Sequence, residues 1–94
     1  MGVRTRRVYD SPDPDDGYRV LVDRLWPRGI TKARAAIDLW CKDVAPTCQL
    51  RTWFGHRSDR YNQFAVRYVG ELSSNPAVDQ LREIIAAYPT VTLL

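Results

Sequence analysis

The densest run of chemically capable side chains is Asp23-Arg24-Leu25-Trp26-Pro27-Arg28-Gly29-Ile30-Thr31-Lys32. Two guanidiniums, an ammonium and a hydroxyl fall within ten positions. The planar donor fork of Arg suits phosphate and carboxylate. The run leads into a helix start, where free N–H groups and the helix dipole attract anions. Arg24, Trp26, Arg28 and Lys32 are therefore candidate ligand-binding residues, with Trp26 as a wall or stacking surface. The same residues also have a purely structural reading. Asp23 pairs with an arginine, Trp26 enters the core, and Pro27 and Gly29 shape a turn.

A second candidate is Trp53-Phe54-Gly55-His56-Arg57, which holds the one histidine of the chain. His56 follows the end of a predicted helix, and the negative end of the dipole there favours the imidazolium. His56 and Asp23 are the candidates for proton transfer. A general acid or base needs a partner within reach, and no spacing supplies one. The bland alternative is that His56 caps a helix end. Cys48 lies one residue into a helix start, a position that lowers a thiol pKa, but a nucleophile also needs an oriented base. Cys41 falls on an apolar stripe and reads as core. No His/Cys cluster has zinc spacing, so neither a metal site nor a cofactor is expected.

The elements that position these residues follow from periodicity. Val3 to Tyr9 reads as a short strand of mixed polarity, and Ser11 to Gly17 as a turn-rich loop. Tyr18 to Leu25 is the strongest strand, apolar on both faces at Val20-Leu21-Val22 as in a buried parallel sheet. Thr31 is placed to cap a helix burying Ala33, Ala36, Ile37, Trp40, Cys41 and Val44, and ending at Ala45-Pro46. A shorter helix is predicted from Thr47 to Phe54, stopped by Gly55 in a left-handed conformation. A third starts near Ser58 and buries Tyr61, Phe64, Ala65, Tyr68, Val69 and Leu72. Asn75-Pro76 opens a last helix that buries Val78, Leu81, Ile85 and Tyr88 and breaks before Pro89. Val91 to Leu94 closes the series as a strand. A long helical crossover between strands implies parallel pairing. The fold class is thus α/β: a small layered domain with a short, mostly parallel sheet and about four helices.

Ninety-four residues suit a single domain over 1–94, and 45% hydrophobic with 27% charged residues is ordinary for a globular chain. No apolar run approaches a membrane span, and the charged first ten residues do not read as a signal peptide. Two cysteines are too few for a disulfide-stapled secreted domain. A small cytoplasmic domain is expected, with no membrane partner. Net charge is +3, and twelve of the fourteen basic residues are Arg. Arg4, Arg6 and Arg7 are followed by Asp10, Asp13, Asp15 and Asp16, a dipolar start that can pair with itself.

Several segments together are specific. Arg7-Val8-Tyr9-Asp10, Asp16 through Gly29 (DGYRVLVDRLWPRG), Trp40, Ala45-Pro46, Leu50-Arg51, Trp53-Phe54-Gly55-His56, Arg67-Tyr68, Glu71-Leu72 and Val91-Thr92-Leu93-Leu94 give a pattern that resembles the DUF488 family, in its YeaO-like branch. The resemblance spans essentially the whole chain. It implies a compact α/β domain of prokaryotic type and directs attention to Asp23, Arg24, Trp26, Pro27, Arg28, Gly29 and His56. It carries no established biochemical function. Relatives tend to have Ser-Thr-Glu where this chain has Thr47-Cys48-Gln49, which argues against a family-wide thiol role. Relatives also usually continue past the last strand with a charged turn and a further helix carrying a His-Asn pair. On that resemblance, the natural protein is expected to be longer than 94 residues or a shortened member.

Three function classes remain. The first is a domain that binds a small anion (phosphate, nucleotide or carboxylate), with or without chemistry, at the end of the strand Tyr18–Leu25. The second is a nucleic-acid module using Arg51, Arg57, Arg60 and Arg67, which only Asp59 offsets locally; no recognised binding motif accompanies them. The third is a non-catalytic interaction domain. The first ranks ahead because a buried strand, a polar motif and a helix start coincide there.

Overall fold

A computed structural model describes residues 2–94. Four parallel strands form the sheet: β1 (Gly2–Thr5), β2 (Tyr18–Leu21), β3 (Leu39–Trp40) and β4 (Thr90–Leu93), in the spatial order β1-β4-β2-β3. Four α-helices accompany them: α1 (Lys32–Ala35), α2 (Cys48–Phe54), α3 (Tyr61–Ser73) and α4 (Ala77–Ala87). The α/β class and parallel sheet expected from the sequence are both present.

The two faces of the sheet differ in chemistry. Tyr18 pairs with Val91 and Val20 with Leu93, so these four side chains share one face. Val20 and Val91 are fully buried there, packed with Cys41, Val44 and the Val78, Leu81, Ile84 and Ile85 ridge of α4. The alternate residues make the other face. Arg4 pairs with Thr92, and Arg19 pairs with Thr92 from the opposite side. An arginine–threonine–arginine row therefore crosses β1, β4 and β2.

Asp16 is the shared counter-ion of that row. It ends a single 3-10 turn, Pro14–Asp16, and is fully buried. Its carboxylate accepts hydrogen bonds from Arg6 Nη1 at 2.9 Å and from the Asp13 backbone N–H at 3.0 Å, and it is paired with Arg19. Arg4 stands 3.6 Å away. The Asp16 carbonyl accepts from Thr92 Oγ1 at 2.7 Å. Arg19 also donates to the carbonyls of Ala35 and Ala36, which ties α1 to β2. The dipolar start of the sequence pairs with itself in part: Arg4 and Arg6 meet the buried Asp16 carboxylate.

The helix expected from Thr31 to Val44 is cut to one turn. Thr31 caps it as anticipated, its hydroxyl accepting from the Arg34 N–H at 3.2 Å. Ala36 then adopts a left-handed conformation, φ 50° and ψ 43°. Asp38 explains the break. Its N–H donates to the Arg19 carbonyl at 2.9 Å, and its Oδ2 accepts from the Arg19 N–H at 2.8 Å. Those bonds start β3 against β2, so a sheet ladder displaces a helix of good local periodicity. Cys41 and Val44 still reach the core, through a strand end and a 3-10 turn. β2 also ends earlier than expected, at Leu21 rather than Leu25.

Helices α2 and α4 start at the capping residues expected, whereas α3 starts at Tyr61 after a 3-10 turn over Ser58–Arg60 and has no side-chain cap. Thr47 Oγ1 accepts from the Leu50 N–H at 3.2 Å, and Gly55 ends α2 at φ 54°. Glu71 of α3 accepts from both the N–H and the hydroxyl of Thr47, at 3.1 and 2.6 Å. Asn75 Oδ1 accepts from the Ala77 N–H at 3.0 Å at the start of α4.

Two predictions follow from the polar face. Burial alone raises the Asp16 carboxyl pKa; the hydrogen bonds from Asp13, Arg6 and Arg19 outweigh it and hold the group below its ordinary 3.8. A depressed folded pKa gives stability that is complete above the ordinary value and is lost as pH falls below it. Asp16→Asn, which leaves buried guanidinium charge without a counter-ion, is expected to cost about 3–5 kcal/mol. It should also flatten the acid limb of a stability–pH profile measured by urea unfolding. An unchanged midpoint would remove Asp16 from this role. Gly17 sits at φ +64°, and a Cβ there would lie 2.3 Å from the Thr90 carbonyl oxygen. Gly17→Ala is therefore expected to lose at least about 2 kcal/mol in the same measurement.

Candidate functional site

The carboxyl ends of β2 and β4 open into a cleft of about 670 Å³. Parallel α/β sheets place their ligands at such ends. Backbone bonds hold the two ends together: the Val22 N–H donates to the Leu94 carbonyl, and the Leu94 N–H to the Val20 carbonyl, each at 2.9 Å. Val22, Leu94, Pro46, Phe54 and Phe64 supply apolar wall. Phe54 and Phe64 stack with centroids 4.4 Å apart, which braces α2 on α3. Asp23, Cys48, Arg51, Thr52 and His56 supply the polar lining.

Helix α2 carries most of the polar groups. Cys48, Arg51 and Thr52 are spaced i, i+3, i+4 and so share one face, while Leu50 is buried on the other. Arg51 is the one Lys or Arg side chain lining the cleft, and its guanidinium makes no hydrogen bond or ion pair among the described residues. His56 is held at φ +58°, directly after Gly55 at φ +54°. A non-glycine residue in that region carries backbone strain, which the fold tolerates where the side chain enters the cleft. Asp23 reaches the rim, and its Oδ1 accepts from the Leu25 N–H at 3.2 Å. No hydrogen bond joins Asp23, Cys48 or His56 to one another among the described residues.

The structure divides the six residues singled out from sequence. Asp23 and His56 come together in the cleft. Arg24, Trp26, Arg28 and Lys32 do not line it. The Arg24 guanidinium donates to the carbonyls of Pro46 and Ala45, at 3.3 and 3.2 Å, and so ties the end of β2 to the segment that enters α2. The Trp26 indole N–H donates to the Ile30 carbonyl at 2.7 Å, and its ring meets Trp40 edge-on at 5.5 Å. Trp40 in turn donates to the Asp23 carbonyl at 2.7 Å. Arg28 is exposed, and its carbonyl accepts from the Tyr9 hydroxyl at 3.3 Å. Lys32 is exposed on the first turn of α1. The run thus builds the corner between β2 and α1, and its first member alone enters the cleft.

The second arginine group is also dispersed. Arg57 pairs with Asp59 at 3.1 Å. Arg60 and Arg67 lie over the Trp53 ring, 5.2 and 4.1 Å from its centre, and Arg60 also donates to the Trp53 carbonyl. Those contacts join α2 to α3. Among the described residues there is no group of three or more His, Cys, Asp or Glu able to hold a metal ion, and no helix is long and apolar enough to cross a membrane. The cleft residues missed from sequence were Arg51, Thr52, Phe54, Phe64 and Leu94. The i, i+3, i+4 spacing with Cys48 on a helix leading to His56 was the visible signal for Arg51 and Thr52.

Residues 2–94 match the family model DUF488-N3i, described as the inactive DUF488-N3 subclade. The chain belongs to the DUF488 family. It is 40% identical to the uncharacterised protein YeaO of Escherichia coli over 94 residues, which is all of this chain and 82% of YeaO. It is 51% identical to uncharacterised proteins of Mycobacterium tuberculosis and Mycobacterium bovis over 82 residues, 87% of this chain and 70% of theirs. No solved structure matches. This DUF488 member therefore combines a matched family pattern with a cleft that the most conspicuous part of the pattern frames rather than lines.

The strain at His56 gives a direct test. His56→Gly relieves the left-handed backbone and is expected to leave thermal stability unchanged or raised by up to about 1 kcal/mol. A loss larger than that in a melting experiment would show that the imidazole holds the loop by packing.

Proposed function

We propose that this DUF488 protein binds a small molecule with one anionic group and an apolar body in the cleft at the carboxyl ends of β2 and β4, and does no chemistry on it. The observation that carries this reading is Arg51, an uncommitted guanidinium facing a largely apolar hollow. A phosphate or carboxylate satisfies its donor fork. Thr52 and His56 offer further hydrogen bonds, and Val22, Phe54, Phe64 and Leu94 cover the rest of the ligand. Asp23 at the rim repels a second negative group or accepts a hydrogen bond from a ligand donor. Arg51 takes the role that the sequence suggested for Arg24 and Arg28, since Arg24 is spent on backbone carbonyls.

Binding without turnover fits the polar lining better than catalysis does. Nucleophilic or acid–base catalysis needs a group held by an orienting partner. Neither the Cys48 thiol nor the His56 imidazole has one among the described residues. The description of the matched subclade as inactive points the same way.

The test is a titration of inorganic phosphate, nucleoside monophosphates and aliphatic and aromatic monocarboxylates, followed by melting temperature and by the Arg51 side-chain NMR signal. At least one member is expected to raise the melting temperature and saturate. Arg51→Gln should weaken it about tenfold, and Arg28→Gln should not change it. If the whole panel is silent, or Arg28→Gln weakens binding while Arg51→Gln does not, this assignment is wrong.

A further inference from the structure

We infer that the opposite end of the sheet holds a second, separate site, for an organic cation of the alkylguanidinium or alkylammonium class. The amino ends of β2, β3 and β4 surround a depression of about 520 Å³. Its lining combines two aromatic rings, two prolines and two carboxylates: Tyr18, Tyr88, Pro14, Pro89, Asp15 and Asp38. Tyr18 and Tyr88 stack face to face, with centroids 4.1 Å apart and planes at 17°. The stack forms a wall in which one face of each ring is covered by the other, so cation–π attraction is left to the outer faces.

The charge pattern selects the ligand. The chain has fourteen basic residues and a net charge of +3, yet none of those fourteen lines this depression. Neither Asp15 nor Asp38 takes part in an ion pair among the described residues. The Asp15 carboxylate accepts no hydrogen bond there. Asp38 spends Oδ2 on the Arg19 N–H, at 2.8 Å, and that donor is neutral backbone. Asp16 and Asp59, by contrast, are closely paired with arginines. Two uncompensated carboxylates beside an aromatic stack complement a cation with an apolar stem: the charge meets Asp15 and Asp38, and the stem lies along the tyrosine and proline surfaces. A bare metal ion is a poorer match, because the two carboxylates fall short of a set of three acidic, His or Cys ligands and the ring faces and prolines add none. The Tyr18 phenol pKa is raised, first by burial and then by the charges of Tyr88 and Asp38. A bound cation would oppose that rise.

This site shares no residue with the cleft, so the two proposals stand or fall separately. The experiment uses the full 94-residue chain with labelled aromatic rings. Butylguanidinium is titrated against its neutral analogue butylurea and against magnesium ion, following the Tyr18 and Tyr88 ring signals. Butylguanidinium is expected to shift both tyrosines saturably, whereas butylurea is not. Asp38→Asn and Asp15→Asn should each weaken binding about threefold to fivefold, in line with partly exposed charge pairs. Asn at 38 keeps an oxygen for the Arg19 N–H, and a melting curve confirms that each variant is folded. Arg51→Gln should leave butylguanidinium binding unchanged. The proposal is overturned if the shifts do not saturate or if butylurea matches butylguanidinium. It fails equally if neither aspartate matters, or if magnesium gives the same shifts at lower concentration.

Discussion

A carboxylate shut away from water is costly unless donors surround it, and Asp16 is surrounded by donors from several parts of the chain. Arg6 reaches it from beyond β1, Arg19 from β2, and the Asp13 N–H from its own turn, while its carbonyl takes the Thr92 hydroxyl of β4. Most small α/β sheets are covered by apolar side chains on both faces. Here one face is apolar under α4, and the other is organised around a single negative charge. Arg19 passes the constraint outward, since its remaining donors fix the carbonyls that end α1. The corner that leads to the cleft is therefore placed partly by an ion cluster on the far side of the same strand.

The two ends of the sheet then differ in lining: at the carboxyl ends Arg51 and Asp23 share a largely apolar hollow, and at the amino ends Asp15 and Asp38, without ion pairs among the described residues, sit beside stacked tyrosines. The single strained polar side chain of the cleft, His56, follows a glycine that already uses the left-handed region to stop α2. Helix termination and side-chain delivery are thus performed by two adjacent residues. Glu71 steadies the other end of α2 by occupying Thr47, so the helix that presents Cys48, Arg51 and Thr52 is fixed at both ends.

Much of this was legible from residue types alone. Thr31, Thr47, Gly55 and Asn75 mark helix boundaries through hydrogen bonds that are local in sequence, and each acts where its chemistry places it. The apolar centre of β2 announced a buried parallel strand. The stretch from Ala36 to Val44 was misread because its stripe fits a helix, while the deciding bonds run from Asp38 to Arg19, far away in sequence. The same limit applies to the site. Arg24, Trp26 and Arg28 have the right chemistry for a ligand, but two of the three spend their donors on backbone carbonyls whose proximity no spacing reveals. Asp23 follows the carboxyl end of β2, where strand direction places it near a cleft, and His56 follows the end of α2 that Gly55 marks.

The spatial order β1-β4-β2-β3 has a consequence in time. The strand that joins β1 to the rest is the last one in sequence. β1 finds its neighbour only once residues 90–93 are available, and the Asp16 backbone carbonyl lacks the Thr92 hydroxyl until then. A chain emerging from the ribosome can form its helices early, because their caps are local, but not this sheet. Pairing of that kind closes large loops and is slow relative to helix formation. Residues 90–93 must therefore be available before either end of the sheet is complete.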